Sequence, residues 1–374
     1  MAKPKKENDE QEASITTSSQ INSYLKTNKD DHYNFEKAES YVVSSGSLIL
    51  DMEMGGGLRP GILRFSGVSE GGKTSAALSF ARNFQKTVPN PYVFYVKSEG
   101  RLSKDILERA GMDLSESRWF EYKCNIYESV ISLMRELVKN NPSNKKYLFI
   151  IDSMDALVPR GDIDKPFEEA NKVAGGSLLS SDFLRKMALG LSSKSHTCIL
   201  VSQVRSTVSI NPYAKTDPKL TNASGGNALL HYSDWILEFQ QRHKADLMLG
   251  EAKALKAQKG KEDIIGHYCK IIFRKTANEK TNKEVRYPIK YGRKNGQSVW
   301  VEHEIKDVLL MWSLVKASGA WITVSDELLK ELLDNGIEMG KQHQGEDNFV
   351  TYLEENPKIT TYLFDKFRKI FDNQ

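Results

Sequence analysis

The sequence predicts an α/β protein with a mostly parallel central sheet covered by helices on both faces, a flexible N-terminal segment and a small C-terminal helical domain. Three observations carry that expectation. Short apolar runs of strand length alternate with stretches whose apolar residues recur at helical spacing. Strands alternating with helices build parallel sheets buried on both sides. One strand-to-helix junction holds a glycine-rich pattern that fits a phosphate-cradling loop.

Residues 1–30 are polar, charged and rich in Ser, Thr and Gln, a composition that predicts disorder. The alternation starts near Tyr41, with a strand over 62–66 and a helix over 74–86. A strand over 92–96, a helix over 104–110 and a second helix carrying Ile126, Val130, Leu133, Met134 and Leu137 follow. Buried strands are predicted over 147–151 and 197–202, with a helix bearing Leu179, Phe183, Leu184, Met187 and Leu191 between them. Beyond Asp234 the pattern changes to strands over 235–239, 268–273 and 284–291, joined by charged hairpins. From Glu304 helices return, over 305–317, 326–333 with Ser325 as cap, 348–355 and 358–371. The expected organisation is a flexible or oligomerising segment over 1–40, a core with its binding loops over 41–303, and a helical domain over 304–374.

Composition narrows the function classes. No stretch approaches the roughly 20 apolar residues of a membrane span, and the start, Met1-Ala-Lys-Pro-Lys-Lys-Glu7, lacks the apolar run of a secretory signal. Cys124, Cys198 and Cys269 are scattered without metal-ligand spacing, which fits a reducing cytoplasm. The net charge of +4 is unevenly spread: residues 304–374 hold 8 basic and 13 acidic residues, whereas 244–294 hold 14 basic and 6 acidic. A basic patch of that kind points to a polyanion partner. A solvated lysine face has the same composition.

The chemistry starts at Gly67-Val-Ser-Glu-Gly71-Gly72-Lys73-Thr74. Glycines let backbone N–H groups turn around a phosphate, and the following helix N-terminus adds partial positive charge. Lys73 is placed to reach the β- and γ-phosphates of ATP, Thr74 to ligate Mg²⁺, and Ser75 to complete the cofactor-binding turn. A second carboxylate for the metal is expected at the end of a neighbouring buried strand. Leu148-Phe-Ile-Ile-Asp152 provides it. Glu99 follows the 92–96 strand at the edge where ligands sit in open α/β sheets, placed to deprotonate an attacking water. A surface glutamate would show the same spacing.

Four further stretches give this loop a context: Ser44-Ser-Gly-Ser-Leu-Ile-Leu-Asp51, Ser202-Gln203-Val204-Arg205, Gly225-Gly226-Asn-Ala-Leu229 and Ser318-Gly-Ala-Trp321. In this order they resemble the RecA family of DNA strand-exchange recombinases, from about Val42 to the C-terminus. A bacteriophage-encoded member fits the divergence and the lack of a dense acidic tail. The resemblance implies a RecA-like core and DNA-dependent ATP hydrolysis with Mg²⁺. It also implies helical filaments on single-stranded DNA, and pairing and exchange with homologous duplex DNA in recombination and repair. Single-strand-binding and loader proteins are the further partners it implies.

By that resemblance Glu99 is the catalytic glutamate. Gln203 senses the γ-phosphate and reports it to a DNA-binding loop over 205–224, with a companion loop over 160–176. The residues suit the first loop independently: Arg205, Lys215 and Lys219 can neutralise phosphates and Tyr213 can stack on bases, and Gly225 and Gly226 close it. An ordinary surface loop would share this composition. Lys275 matches a lysine that crosses the subunit interface to the neighbouring ATP, with Arg274 the alternative. Phe35-Glu-Lys-Ala38 could dock on an adjacent protomer, but so short a pattern also suits a plain surface turn.

The sequence departs from the family where the base would bind. Ile106 stands in place of an adenine-stacking aromatic, and Ser103 in place of a base-contacting aspartate. Phe273 replaces a second interface lysine, and His231 an interface phenylalanine. Two rivals share the core: a ring helicase or translocase, and a non-catalytic recombinase loader. Lys73, Thr74, Glu99, Asp152 and Gln203 all being present speaks against the loader.

Overall fold

The computed structural model describes residues 17–99, 102–163, 175–203, 231–250 and 264–372. Nine strands form the main sheet: β1 (Gly61–Gly67), β2 (Pro91–Lys97), β3 (Trp119–Lys123), β4 (Lys146–Asp152), β5 (Thr197–Val201), β6 (Trp235–Phe239), β7 (Leu247–Leu249), β8 (Ile264–Lys275) and β9 (Glu284–Lys290). Their order is β3-β2-β4-β5-β1-β6-β8-β7, with β9 also paired to β8. From β3 to β6 every pairing is parallel; β7, β8 and β9 are antiparallel. This is the mostly parallel sheet that the sequence predicts.

The helices are α1 (Thr17–Thr27), α2 (Leu48–Glu53), α3 (Lys73–Thr87), α4 (Lys104–Arg109), α5 (Tyr127–Lys139), α6 (Arg160–Ile163) and α7 (Gly175–Ser193). They cover both faces. On one, Ala76, Ala77, Phe80, Ala81 and Phe84 of α3 meet Leu63 and Phe65 of β1 and Leu237 and Phe239 of β6. The spacing of these α3 residues follows one stripe of a 3.6-residue helix. On the other, Val130, Ile131 and Met134 of α5 join Phe183, Leu184, Met187 and Leu191 of α7 over Ile62, Phe149 and Leu200. Successive residues of β1 therefore serve opposite cores, as the two-residue period of a strand requires.

A third core lies in the C-terminal part, around Ile305, Val308, Leu328, Leu332, Phe349, Leu353, Leu363 and Phe367. It is built by α8 (Val301–Met311), α9 (Asp326–Asp334), α10 (Glu346–Glu355) and α11 (Pro357–Asp372), with a small sheet of β10 (Val315–Ser318), β11 (Trp321–Val324) and β12 (Gln342–Gln344). The helix expected to reach Ala317 ends at Met311, because Ser313 takes φ +58° and turns the chain into β10. The N-terminal expectation also changes: residues 17–27, read as disordered, form α1, which buries none of its side chains.

The Ser44–Asp51 stretch joins these cores. Asp51 accepts the Ser44 hydroxyl at 2.5 Å and the Ser45 amide at 2.7 Å, and its other partner is Arg368 of α11 at 2.6 Å. Ser79 of α3 donates to the Ser45 carbonyl at 2.5 Å, and Asn83 to that of Ser44 at 2.9 Å. Glu304 of α8 caps α2, accepting the Ser47 hydroxyl at 2.5 Å and the Leu48 amide at 2.8 Å. On α10, Glu354 accepts Lys290, Arg293 and Trp300 at 2.5, 2.8 and 2.6 Å.

Candidate active site

Parallel register brings the predicted residues to one sheet edge. Lys97 pairs with Asp152, Asp152 with Val201, and Val201 with Phe65. The turns after β2, β4, β5 and β1 consequently leave the sheet side by side, carrying Glu99, Asp152, Gln203 and the glycine-rich loop. All of these border one cleft of about 370 Å³.

Two glycines of the loop have geometric reasons to be glycine. Gly67 takes φ +133°, and a Cβ there would lie 2.2 Å from the Phe239 carbonyl oxygen of the adjacent strand. Gly72 caps α3 in the left-handed region at φ +103°, which side chains rarely adopt. The Lys73 ammonium curls back over the loop, donating to the carbonyls of Gly67 at 2.9 Å and Val68 at 2.6 Å. Burial lowers its pKa, while the carboxylates of Asp152, Asp155 and Glu99 act in the opposite sense.

Thr74 and Asp152 meet as the sequence requires: the Thr74 hydroxyl donates to Asp152 Oδ2 at 2.7 Å. The same oxygen accepts Tyr95 OH at 2.7 Å, and the buried phenol is pushed far above its usual range by burial and by this carboxylate. Glu99 accepts a short hydrogen bond from the Ser153 hydroxyl. Ser98 donates to the Ser153 carbonyl at 2.7 Å, so the two strand ends hold each other. Gln203 is exposed at the lip, and its amide donates to Asp155 Oδ2 at 2.5 Å.

Tyr95, Ser153 and Asp155 carry no role in the sequence reading, yet each holds a predicted site residue. Only Ser153 left a signal, as the neighbour of Asp152 at a strand end. Ile106 borders the cleft together with Leu102 and Ile289, giving an aliphatic wall, with Arg242 also on its border. Ser103 accepts the Ile106 amide and is the N-cap of α4, so its place is explained by the helix.

Lys275 does not join the cleft. It pairs with Ile236, which is level with Arg64, three residues before the loop begins at Gly67. Its ammonium donates to the His231 carbonyl at 2.8 Å, and burial lowers its pKa against the pull of Asp234. Arg274, the alternative, is bound to Glu238 at 2.6 and 3.2 Å. Phe273 is fully buried in the core. Arg205, Tyr213, Lys215, Lys219, Gly225 and Gly226 lie outside the described residues, as does most of the companion loop.

Among the described residues, most cations of the 244–294 window are paired within the chain. Lys270 pairs with Asp246, Arg274 with Glu238, Lys280 and Lys283 with Glu53, Arg286 with Glu284, and Lys290 and Arg293 with Glu354. Five of these cations, Arg274, Lys280, Lys283, Lys290 and Arg293, take acids from outside the window, which a count over the window cannot show. Residues 251–263 of that window are outside the described residues.

A model of the RecA N-terminal domain family matches residues 26–293. Protein RecA of Borrelia hermsii is 26% identical over 334 residues, covering 88% of this chain and 81% of that protein. Protein RecA of Porphyromonas gingivalis is 25% identical over 338 residues, covering 89% and 86% respectively. Among solved structures, the RadB recombinase is similar with a TM-score of 0.46 at 17% identity, over 69% of this chain and 98% of that one.

Proposed function

This chain belongs to the RecA family of recombinases, and from that membership we propose that it hydrolyses ATP in a DNA-dependent manner while assembled as a filament on single-stranded DNA. The observation that carries the proposal is the convergence of Lys73, Thr74, Asp152 and Glu99 on one cleft at the carboxyl edge of parallel strands.

The loop amides from Gly67 to Ser75, those of Gly71, Gly72 and Ser75 among them, would cradle the phosphates of ATP. The Lys73 ammonium would exchange the Gly67 and Val68 carbonyls for phosphate oxygens. Thr74 and Asp152 offer two oxygens 2.7 Å apart, a hard-donor pair that fits Mg²⁺, which keeps several of its own waters. The ion would supply charge neutralisation on the β- and γ-phosphates. Ser153 orients the Glu99 carboxylate, which would take the proton of the water attacking the γ-phosphorus. Gln203, at the lip, would sense that phosphate. Lys275, outside its own cleft, is free by position to serve the ATP of a neighbouring protomer, where a cation stabilises the transferring group.

Arg205, Lys215 and Lys219 would hold the DNA backbone, Tyr213 would stack on bases, and Gly225 and Gly226 would end the loop. Homologous duplex DNA would then be paired by its own bases, making the protein a recombination and repair factor acting in the cytoplasm, with single-strand-binding and loader proteins as partners. In this reading residues 41–303 are the ATPase core, 1–40 the oligomerising segment and 304–374 a C-terminal domain. No described helix is long and apolar enough to cross a membrane.

The test is ATPase activity with and without single-stranded DNA, with the same samples imaged. DNA-stimulated hydrolysis by helical filaments, abolished in Lys73→Ala, is the expected result. Hydrolysis by closed rings without DNA stimulation would point to a helicase, and no hydrolysis in either condition to a loader.

A further inference from the structure

We infer that Arg64 is a positioning residue of the ATPase, a buried guanidinium that ties the Gln203 lip of the cleft to the strand carrying Lys275. The inference rests on the function proposed above and adds a coupling element to it.

Arg64 lies in the middle of β1, between Leu63 and Phe65, and is 1% exposed. A central strand of a parallel sheet normally holds an apolar residue at such a place. Removing a guanidinium from water is costly, and a buried charge is retained at a disadvantage compared with a well-packed apolar side chain. A charge kept there needs an account beyond stability.

Its surroundings supply one. On the β5 side, Arg64 Nε donates to Ser202 Oγ at 3.0 Å, and the Ser202 amide donates to the Phe65 carbonyl at 2.8 Å. Ser202 immediately precedes Gln203, whose own amide is held by Asp155 at 2.5 Å. The negative charges of Asp155 and Glu238 act on Arg64 against the desolvation that lowers its pKa to about 10, so it stays a cation at neutral pH. On the β6 side, Glu238 is 3% exposed and binds Arg274 through both oxygens, while accepting Gln240 at 2.9 Å. Arg274 precedes Lys275, which grips the His231 carbonyl at 2.8 Å.

The row Asp155–Arg64–Glu238–Arg274 alternates in charge and crosses from the end of β4 over β1 and β6 to β8. Its two ends hold Gln203 and, through the residue next to Arg274, His231. In the sequence these flank 205–224, the stretch predicted to contact DNA. Neutralising Arg64 removes the donor to Ser202 and the positive charge lying between half-buried Asp155 and buried Glu238. Ser202 then loses its hold on β1, and the neighbouring Gln203 amide, seated on Asp155, loses the support beneath it. The glycine-rich loop begins three residues further on, at Gly67, and the Lys73–Thr74–Asp152 group keeps its own bonds.

The experiment uses the full chain: steady-state ATPase with single-stranded DNA, binding of a fluorescent ATP analogue, and thermal melts, for wild type, Arg64→Met, Arg64→Lys and Glu238→Gln. Arg64→Met is expected to lower the DNA-stimulated kcat by about 10- to 100-fold, the scale of a small misplacement of a catalytic group, with analogue affinity within about threefold of wild type. Arg64→Lys should recover most of that loss. Should Arg64→Met fail to fold, Glu238→Gln must show the same split between kcat and affinity. A folded Arg64→Met with wild-type stimulated turnover, or an equal loss of affinity and kcat, would overturn the inference and leave the ATPase reading intact. A wild type without DNA-stimulated turnover would sink that reading, and this inference with it.

Discussion

Replacing Glu304 by Gln tests how the C-terminal part is fastened to the part built on the main sheet. Glu304 is fully buried on α8, with one carboxyl oxygen on the Ser47 hydroxyl and the other on the Leu48 amide. Burial raises its pKa from 4.5 to about 8, with Asp51 adding to the rise and the Ser47 and Leu48 hydrogen bonds opposing it. Between those two values the folded protein keeps a proton that the unfolded chain has released. Stability therefore falls as pH rises from 4.5 through about 8 and levels off above it. At about 1.4 kcal/mol per tenfold change in proton affinity the whole penalty is on the order of 5 kcal/mol. About 3 kcal/mol of it accrues between roughly pH 6 and pH 9. Glutamine keeps the shape and an oxygen for the Leu48 amide, and it does not ionise. Urea unfolding followed by tryptophan fluorescence should then show Glu304→Gln gaining about 3 kcal/mol on wild type over that pH range. Taking the difference between the two proteins removes the titration of other groups, such as His196 and His267, whose burial lowers their pKa values to about 3 and 4. Unfolding curves that keep a constant separation from pH 6 to pH 9 would refute the reasoning.

Ser153→Ala removes the hydroxyl that orients Glu99, so kcat for ATP should drop about tenfold with KM nearly unchanged, measured by steady-state phosphate release. Wild-type kcat in that variant would show that Glu99 needs no such support. Phe84→Ala empties a fully buried site on α3 next to Tyr41, whose ring centre is 5.8 Å away, and should cost about 3–5 kcal/mol in urea unfolding. A loss below about 1 kcal/mol would mean that the core beneath α3 collapses readily. Lys215→Ala should lower the magnitude of the slope of log affinity against log salt for single-stranded DNA by about one. An unchanged slope would remove Lys215 from the DNA contacts.

The cleft was legible in the sequence because its parts are local patterns whose meeting is enforced by topology. A strand, a glycine-rich turn and a helix declare the phosphate loop within a dozen residues, and Asp152 and Glu99 each follow a buried strand. Parallel strands in register then have no choice but to deliver these ends to one edge, as the pairing of Lys97, Asp152 and Val201 shows. What the sequence concealed is the set of contacts between strand ends. Ser153 with Glu99, Asp155 with Gln203 and Arg64 with Ser202 depend on inter-strand register, which no spacing along one segment encodes. The same holds for charge. A count over 244–294 gives a basic patch, yet Lys280 and Lys283 end on Glu53, separated from them by 227 and 230 residues.

The errors at the chain ends have the same origin. The stripe that predicts a helix to Ala317 is real as far as Met311, but Ser313 at φ +58° sends Val315 into a strand that pairs with Trp321–Val324. Once β-branched residues such as Val315, Ile322 and Val324 find a partner strand and a core to fill, that pairing outweighs a weak helical period. At the other end, α1 buries nothing, so apolar periodicity had no core-facing stripe by which to announce it. Edge strand β3 escaped for a related reason: among the described residues it pairs only with β2, and it carries Glu121 and Lys123 among its aromatics, the charges that keep an exposed edge from pairing further. Sequence therefore speaks most clearly where one segment's own backbone makes the site, and least where a side chain is defined by what another strand brings to it. Arg64 is the extreme case: read along β1 it is an anomaly in an apolar strand, and only the register of neighbouring strands sets it beside Ser202, next to the Gln203 lip.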